Sequence, residues 1–399
     1  MTLIQNEPKK IYIWNTEVKS VRLWETKVRP TYKPRTFTIT RTEKSDMSSW
    51  WTYSDDAAWL TAGDGAFDDF FWYSAVLLNT SGVETAEMKQ SWWVFTWAMS
   101  TLGNITSGDN VMIKFPVRWI KMSKSWSTVT LSITEELDKD GYQYYAHSTG
   151  TLSNPWTPKN AFYLWAYEWY AAYTTLKSWS WWTPTANQTS ATLCTYAGNN
   201  GSGYNIIWWY QRMYVNALYM MKYWNPDSRS VVWQWFVYTW YISPTATWWT
   251  NSQTNATYWT SSQTQQIKLF WLEDRWGNIL ESLWWAYLDS SNYLYVQLSW
   301  YSGTLSWWEN TWSILQSSSS GYNLSSIVWN NKAMFWPSST VNNSNYNTYY
   351  CTLWYAGASC LINAGGYWNS KSVAGVLNTE ASWWPSVASS NLGSRLQYL

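Results

Sequence analysis

The chain has 399 residues, enough for one large domain or two to three ordinary ones, so size does not limit the burial of a core. Its 26 Lys+Arg and 25 Asp+Glu leave a net charge of +1, which excludes the strong electrostatic field that a polyanion-binding or acidic-membrane-binding protein relies on. The first ten residues, MTLIQNEPKK, lack the apolar segment of a secretory signal, and no uncharged apolar run approaches the roughly 20 residues that span a bilayer. The expectation is a protein with no signal peptide, no membrane insertion and no nucleic-acid partner, which reaches an outside surface through assembly into a particle or through lysis.

In chain order, residues 11–19 (IYIWNTEVK) and 21–29 (VRLWETKVR) form a near-repeat, and each copy reads as strand, turn, strand. With the Pro-bounded 29–34 they make residues 1–35 a small β attachment segment and linker. The alternation of Phe37-Thr38-Ile39-Thr40 predicts a strand, as do Val111 to Val117 and Ser127 to Thr134. Residues 36–105 therefore read as a β-rich N-terminal subdomain and 106–399 as the main domain. Helical signal is confined to Asp55–Leu60, a turn or two, and to Ile206–Tyr223, where Ile207, Tyr210, Tyr214, Leu218 and Met221 recur at spacings of three and four. The Ser/Thr/Asn-rich stretches 183–205, 243–265 and 315–348 predict long surface connections. The fold class expected is α+β and β-rich, with long loops and few helices.

Forty tryptophans stand beside only 18 glycines, whereas Gly ordinarily makes up about 7% of residues. Several tryptophans occupy places where the backbone asks for positive φ. Trp224 follows a helical stretch and precedes Asn225-Pro226, the place of a helix C′ glycine. Trp181-Trp182 and Trp248-Trp249 fall in loops whose composition favours turns. Some bacterial lineages read UGA as glycine where a common translation table writes tryptophan, and such recoding is the expectation here. Some tryptophans are read as true aromatics, among them Trp209, Trp276 and Trp368, where the family resemblance given below implies an aromatic. The alternative is a Trp-rich surface for stacking on sugars or other rings.

Residues suited to chemistry are few. The single His147 leaves no material for a His-based metal site and argues against a Ser-His-Asp triad; it reads as a structural histidine. Three cysteines, Cys194, Cys351 and Cys360, form no metal-ligand spacing and read as small core residues, with a Cys351–Cys360 bridge left open. Asp55-Asp56, Asp68-Asp69, Glu135-Glu136-Leu137-Asp138 and Glu273-Asp274 read as solvated faces, with an oxygen-ligand Ca²⁺ site the weaker reading. No catalytic residue, metal ligand or cofactor is assigned.

Leu272-Glu273-Asp274-Arg275-Trp276-Gly277-Asn278-Ile279-Leu280-Glu281 resembles the E/D-x-x-G-N-V-W-E-W segment of the formylglycine-generating-enzyme-like branch of the C-type-lectin fold, with Leu280 where that family has Trp. Gly365-Gly366-Tyr367-Trp368-Asn369-Ser370 through Asn391-Leu392-Gly393-Ser394-Arg395-Leu396 is similar to its closing G-G-S-W … G-F-R pattern, with Ser394 in place of Phe. Asp55–Trp59, Val111–Trp119, Phe162–Glu168 and Tyr223–Val232 resemble a phage-tail subgroup of the same family. The enzymes of the family place a cysteine pair just ahead of the closing motif; Cys351 and Cys360 precede even Gly365, so the resemblance carries over fold and not reaction.

In that subgroup the last segment is often the variable target of a diversity-generating retroelement. The resemblance thus implies a variable region at 365–396, with ligand-contacting positions at Tyr367, Trp368, Asn369, Ser370, Lys371, Val373, Asn378, Glu380, Ser382, Trp383, Trp384, Val387 and Ser389. Ala374-Gly375-Val376 and Asn391-Leu392-Gly393 serve as frame. The implied function is non-catalytic binding of a host or neighbour-cell surface receptor, protein or glycan, by a homo-oligomeric or particle-assembled protein on a virion tail or cell surface. The other readings are a tail or baseplate protein without a ligand, and an oxidase or sugar hydrolase.

Overall fold

The computed structural model describes residues 11–13, 16–18, 22–23, 26–27, 33–42, 51–87, 105–225, 228–232, 243–253, 255–259, 266–298, 308–314, 323–341, 360–370, 374–383 and 386–399. It divides between Arg35 and Thr36 into two units. In the first, each nine-residue repeat contributes one antiparallel pair, Ile11–Ile13 with Thr16–Val18 and Arg22–Leu23 with Thr26–Lys27.

The second unit, Thr36–Leu399, is β-rich with few helices, an α+β architecture of open sheets. Asn110–Pro116 pairs with Ser74–Leu78, and Thr128–Thr134 pairs with Thr36–Thr42. The expected division into 36–105 and 106–399 is therefore corrected, because ladder hydrogen bonds tie the two stretches into common sheets. A four-stranded antiparallel sheet runs in the order Trp119–Ser125, Thr128–Thr134, Thr36–Thr42, Trp51–Asp55. Alternation directs Phe37, Ile39, Val129, Leu131 and Ile133 into the core. A six-stranded antiparallel sheet places the C-terminal Leu396–Tyr398 between Tyr204–Ile206 and Ala161–Trp165, followed by Asn110–Pro116, Ser74–Leu78 and Glu84–Glu87. A third sheet runs Glu309–Ile314, Tyr293–Val296, Leu280–Leu288, Cys360–Ala364, Thr379–Trp383, with Leu392–Gly393 added in parallel to Leu280–Leu288.

The described helices are α1 (Ala66–Phe71), α2 (Ser190–Gly198), α3 (Trp209–Tyr223) and α4 (Ser228–Val232). The helix expected at Asp55–Leu60 is instead a series of turns: Asp55 has φ of 54°, which ends the strand and prevents a helix from starting. Ile206 belongs to a strand paired with Leu396, so α3 begins three residues later than its periodicity suggests. Two stretches read as surface connections hold structure. α2 lies inside 183–205, capped by Thr189, whose hydroxyl accepts from the Thr192 amide at 3.1 Å. Asn323–Ile327 and Pro337–Val341 form a hairpin inside 315–348, and Trp329, Ala333, Met334, Phe335 and Trp336 between them are buried.

Every residue of α3 is buried, polar ones included. An all-round buried helix must satisfy its polar side chains internally. Gln211 Nε2 donates to Gln397 Oε1 at 2.8 Å, Asn216 Nδ2 to the Val376 carbonyl at 3.1 Å, and Lys222 Nζ to Asp68 Oδ1 at 2.6 Å. The helix is thereby bonded to the strand Leu396–Tyr398, to the connection between residues 364 and 379, and to α1.

Candidate functional site

The two segments that carry the family resemblance meet through one carboxylate. Glu281 lies in the strand Leu280–Leu288 and is 1% exposed. It accepts from Arg395 Nε at 2.6 Å, from Arg275 Nη1 at 2.5 Å and from Arg212 Nη1, all three guanidiniums being fully buried. Burial alone would push its carboxyl up, but Arg275, Arg212 and Arg395 hold it down at about 2. Burial, reinforced by the charge of Arg212, pushes Arg275 well below its ordinary value, so the site is a cationic cluster gathered on a single anion. Arg395 also donates to the carbonyls of Trp165, Glu273 and Asp274 at 3.0, 2.6 and 2.9 Å.

Arg395 thereby adjoins a group of buried acidic residues. Glu273 and Asp274 are each 1% exposed, which corrects their reading as a solvated face. Glu273 accepts from the Thr250 amide at 3.1 Å and from its hydroxyl; Asp274 accepts from Gln266 and, at 3.1 Å, from Asn278 Nδ2. The same Asn278 amide donates to Glu168 Oε2 at 2.6 Å. Burial and then the charge of Asp274 push Glu168 well above the carboxylate range, and burial and then Glu273 do the same to Asp274. Lys268 donates to the carbonyls of Thr250 and Gln253 at 3.0 and 2.7 Å; burial pulls it down to about 7, against the pull of Glu273.

This buried polar layer holds four loops together. The Trp368 amide donates to the Asn278 carbonyl at 3.0 Å, and the Thr245 amide to Asn278 Oδ1 at 2.8 Å. The Asn187 amide donates to the Ser389 carbonyl at 2.9 Å, the Trp181 amide to the Thr247 carbonyl at 2.5 Å, and the Thr247 amide to the Trp182 carbonyl at 3.1 Å. Loops 179–187, 243–251, 367–370 and 386–391 are thus neighbours. Gly365 and Gly366, at φ of 100° and 81°, turn the chain out of the sheet into 367–370. A Cβ on Gly366 would lie 2.8 Å from Ala374 Cβ, so only glycine fits the turn.

Of the positions expected to contact a ligand, Asn369 is exposed, and Tyr367, Trp368, Ser370, Glu380, Val387 and Ser389 are half-buried at the protein surface. Asn378 is a correction: at 3% exposure it is core, its amide donating to Gly375 and its carbonyl accepting from Gly365. Ser382 and Trp383 lie on the strand Thr379–Trp383, and Lys371, Val373 and Trp384 lie outside the described residues. The neighbouring Ser386, Ala388 and Ser390 are exposed, whereas Ala374, Val376 and Leu392 are buried. Sequence reasoning missed Arg212 altogether. Its signal was a charged residue within an otherwise apolar helical stretch.

His147 is buried in a short 3₁₀ turn, its Nε2 donating to the Phe115 carbonyl at 3.3 Å between the rings of Phe162 and Tyr214. Burial lowers it to about 3, so it is a neutral core residue. Cys351 lies outside the described residues, and Cys360 opens the strand that pairs with Leu280–Leu288. Among the described residues no group of three or more His, Cys, Asp or Glu side chains could hold a metal ion, and no helix is long and apolar enough to cross a membrane. No model of a known protein family matches the chain, and no curated protein matches it.

Proposed function

We propose that this chain is a non-catalytic ligand- or receptor-binding protein on a C-type-lectin-like scaffold of the formylglycine-generating-enzyme-like kind, displayed on a phage tail or cell surface. Its partner is a receptor, protein or glycan, on a host or neighbouring cell. The contact face is formed by 367–370 and 386–391, the segment a diversity-generating retroelement would vary, flanked by loops 179–187 and 243–251.

The observation that carries this reading is the Glu281 cluster. It binds the segment Leu272–Glu281 to Arg395, and with the parallel pairing of Leu280–Glu281 on Leu392–Gly393 it anchors the far end of the terminal segment, while the antiparallel pairing of Glu281 with Ala364 anchors the near end. Between those anchors the exposed side chains are Asn, Ser and Ala, with half-buried Tyr and Val. Exposed positions tolerate replacement at about ±0.5 kcal/mol, so a face of this kind changes its side chains without loss of the scaffold. Tyr contributes contact area at low entropic cost, and Ser and Asn contribute adaptable hydrogen bonds. Both oxygens of Glu281 are engaged with guanidiniums, which favours a holding role for it over an acid–base one.

The test is to sequence the 3′ end of the gene from many individuals of one population. Replacements clustered at Tyr367, Asn369, Ser370, Val387 and Ser389, with Arg212, Arg275, Glu281 and Arg395 unchanged, are the expected result. Uniform identity from 367 to 390 would instead make this a tail or baseplate component without a variable ligand.

A further inference from the structure

Seventeen non-glycine residues have positive φ among the described residues, and seven of them are tryptophan: Trp72, Trp126, Trp181, Trp224, Trp271, Trp285 and Trp312. Six more are Asp or Asn, the residues that ordinarily tolerate this region besides glycine. An indole offers no such tolerance, since its Cβ meets the same steric obstacle as that of any L-residue.

Six of the seven occupy sites whose geometry selects glycine. Trp72 and Trp224 close α1 and α3 in the left-handed conformation, with φ of 55° and 56°, their amides donating back to Asp68 and Met220 at 2.9 Å. That is the C′ position of a helix, where glycine dominates. Trp126 opens the two-residue turn between Ser125 and Thr128, which face each other in the hairpin register. Trp271 is the second of two turn residues between the paired Leu269 and Leu272, and both have positive φ (51° and 65°), the turn whose second residue is characteristically glycine. Trp285 lies where the register shifts between Leu283 and Tyr287, and Trp312 where it shifts opposite Tyr293 and Tyr295, the sites of β-bulges. Trp181, in the loop beside Thr247, is the seventh.

Four of these side chains lie about half or more in solvent: Trp126 is 95% exposed and Trp312 77%, with Trp72 and Trp181 about half exposed. Trp224, Trp271 and Trp285 pack on neighbouring groups, Trp224 against Tyr53, Trp271 under the Lys268 ammonium and Trp285 against Trp208, so for these three the backbone alone carries the argument. Trp209 and Trp276 contrast with all seven in backbone conformation. Neither has positive φ, both are 1% exposed, and each packs edge-to-face on a core ring, Trp336 and Tyr219 respectively.

We infer that residues 72, 126, 181, 224, 271, 285 and 312 are glycine in the polypeptide made by its native host, encoded by UGA in a code that reads this triplet as glycine, while Trp209 and Trp276 are tryptophan encoded by UGG. One consequence concerns the contact face: the stacked rings of Trp181 and Trp248, 4.2 Å apart, are then not an aromatic platform for a sugar, because one of the pair is absent.

Two readouts independent of folding test this. Reading the gene should find UGA at all seven positions and UGG at 209 and 276. Peptides of the natively produced protein spanning residues 72, 126 and 312 should be lighter by one tryptophan-to-glycine difference per site. UGG at the seven positions, or peptides carrying the full indole mass, overturns the inference. A third readout compares recombinant chains. The fourfold variant Trp72→Gly, Trp126→Gly, Trp181→Gly, Trp312→Gly, which opens no core cavity, should unfold at a higher midpoint than the chain as written, whereas Trp209→Gly and Trp276→Gly should each lower it. A fourfold variant that unfolds earlier than the chain as written counts against the inference.

Discussion

Replacing Glu281 by Gln tests the element on which the scaffold turns. The substitution keeps the shape and an acceptor oxygen but removes the carboxylate that Arg212, Arg275 and Arg395 share. The folded carboxyl sits at about 2 against an ordinary 4.5. At about 1.36 kcal/mol for each unit, that difference is about 3 kcal/mol of folding stability at neutral pH, in line with the roughly 3–5 kcal/mol lost when one partner of a buried ion pair is removed. Because the folded value is depressed, this stability is present above about pH 4.5 and is lost as the pH falls toward 2. Denaturant unfolding of wild type and Glu281→Gln should therefore show a gap of about 3 kcal/mol at pH 7 that narrows steadily below pH 4.5. An unchanged midpoint at pH 7, or a gap that does not narrow between pH 5 and pH 3, would refute the assignment of Glu281 as the ionised centre of the cluster.

The single histidine gives an unambiguous spectroscopic probe: the His147 imidazole resonances should not titrate between pH 4 and pH 8, since its folded value is about 3. The unfolded chain takes up that proton below about 6.5, so acid should cost stability progressively from pH 6.5 down to pH 3; a midpoint near 6.5 in the folded protein would contradict its burial. Gly366→Ala should cost about 2 kcal/mol, because φ of 81° and a 2.8 Å approach to Ala374 both oppose a side chain, and it should weaken ligand capture along with thermal stability. Trp126→Gly should raise stability by about 1 kcal/mol by relieving left-handed strain at an exposed turn, whereas Trp209→Gly should lower it by at least about 3 kcal/mol through the cavity left in the core, both read by calorimetry.

Much of the sheet structure was legible because strand signals are local. Thr36–Thr42, Asn110–Pro116 and Thr128–Thr134 each alternate or run apolar over the length that pairs. The body of α3 was legible from its periodicity, but its first turn was not, since Tyr204–Ile206 is drawn into a ladder with residues almost 200 positions later. The short helix α1 gave no usable period, and α2 was hidden by a polar composition that suits a loop equally well. The Glu273-Asp274 pair misled for a physical reason. Adjacent acids are ordinarily solvated, and nothing near them in the chain reveals that Thr250, Gln266, Lys268 and Arg395 gather around them.

Composition and spacing alone determined that the chain has one histidine and almost balanced charge, that it is β-rich, and that a left-handed backbone falls at Trp224; of the loop tryptophans read the same way, Trp181 has positive φ, whereas Trp182, Trp248 and Trp249 do not. These are properties of a residue and its neighbours, so no partner is needed to read them. Only the tertiary structure decided that Arg212, Arg275 and Arg395 share Glu281, that Asn378 belongs to the core while Asn369 faces solvent, and which tryptophans have left-handed backbones. Burial of a charge depends on countercharges brought from distant segments, and such long-range pairing leaves no periodic trace in the sequence.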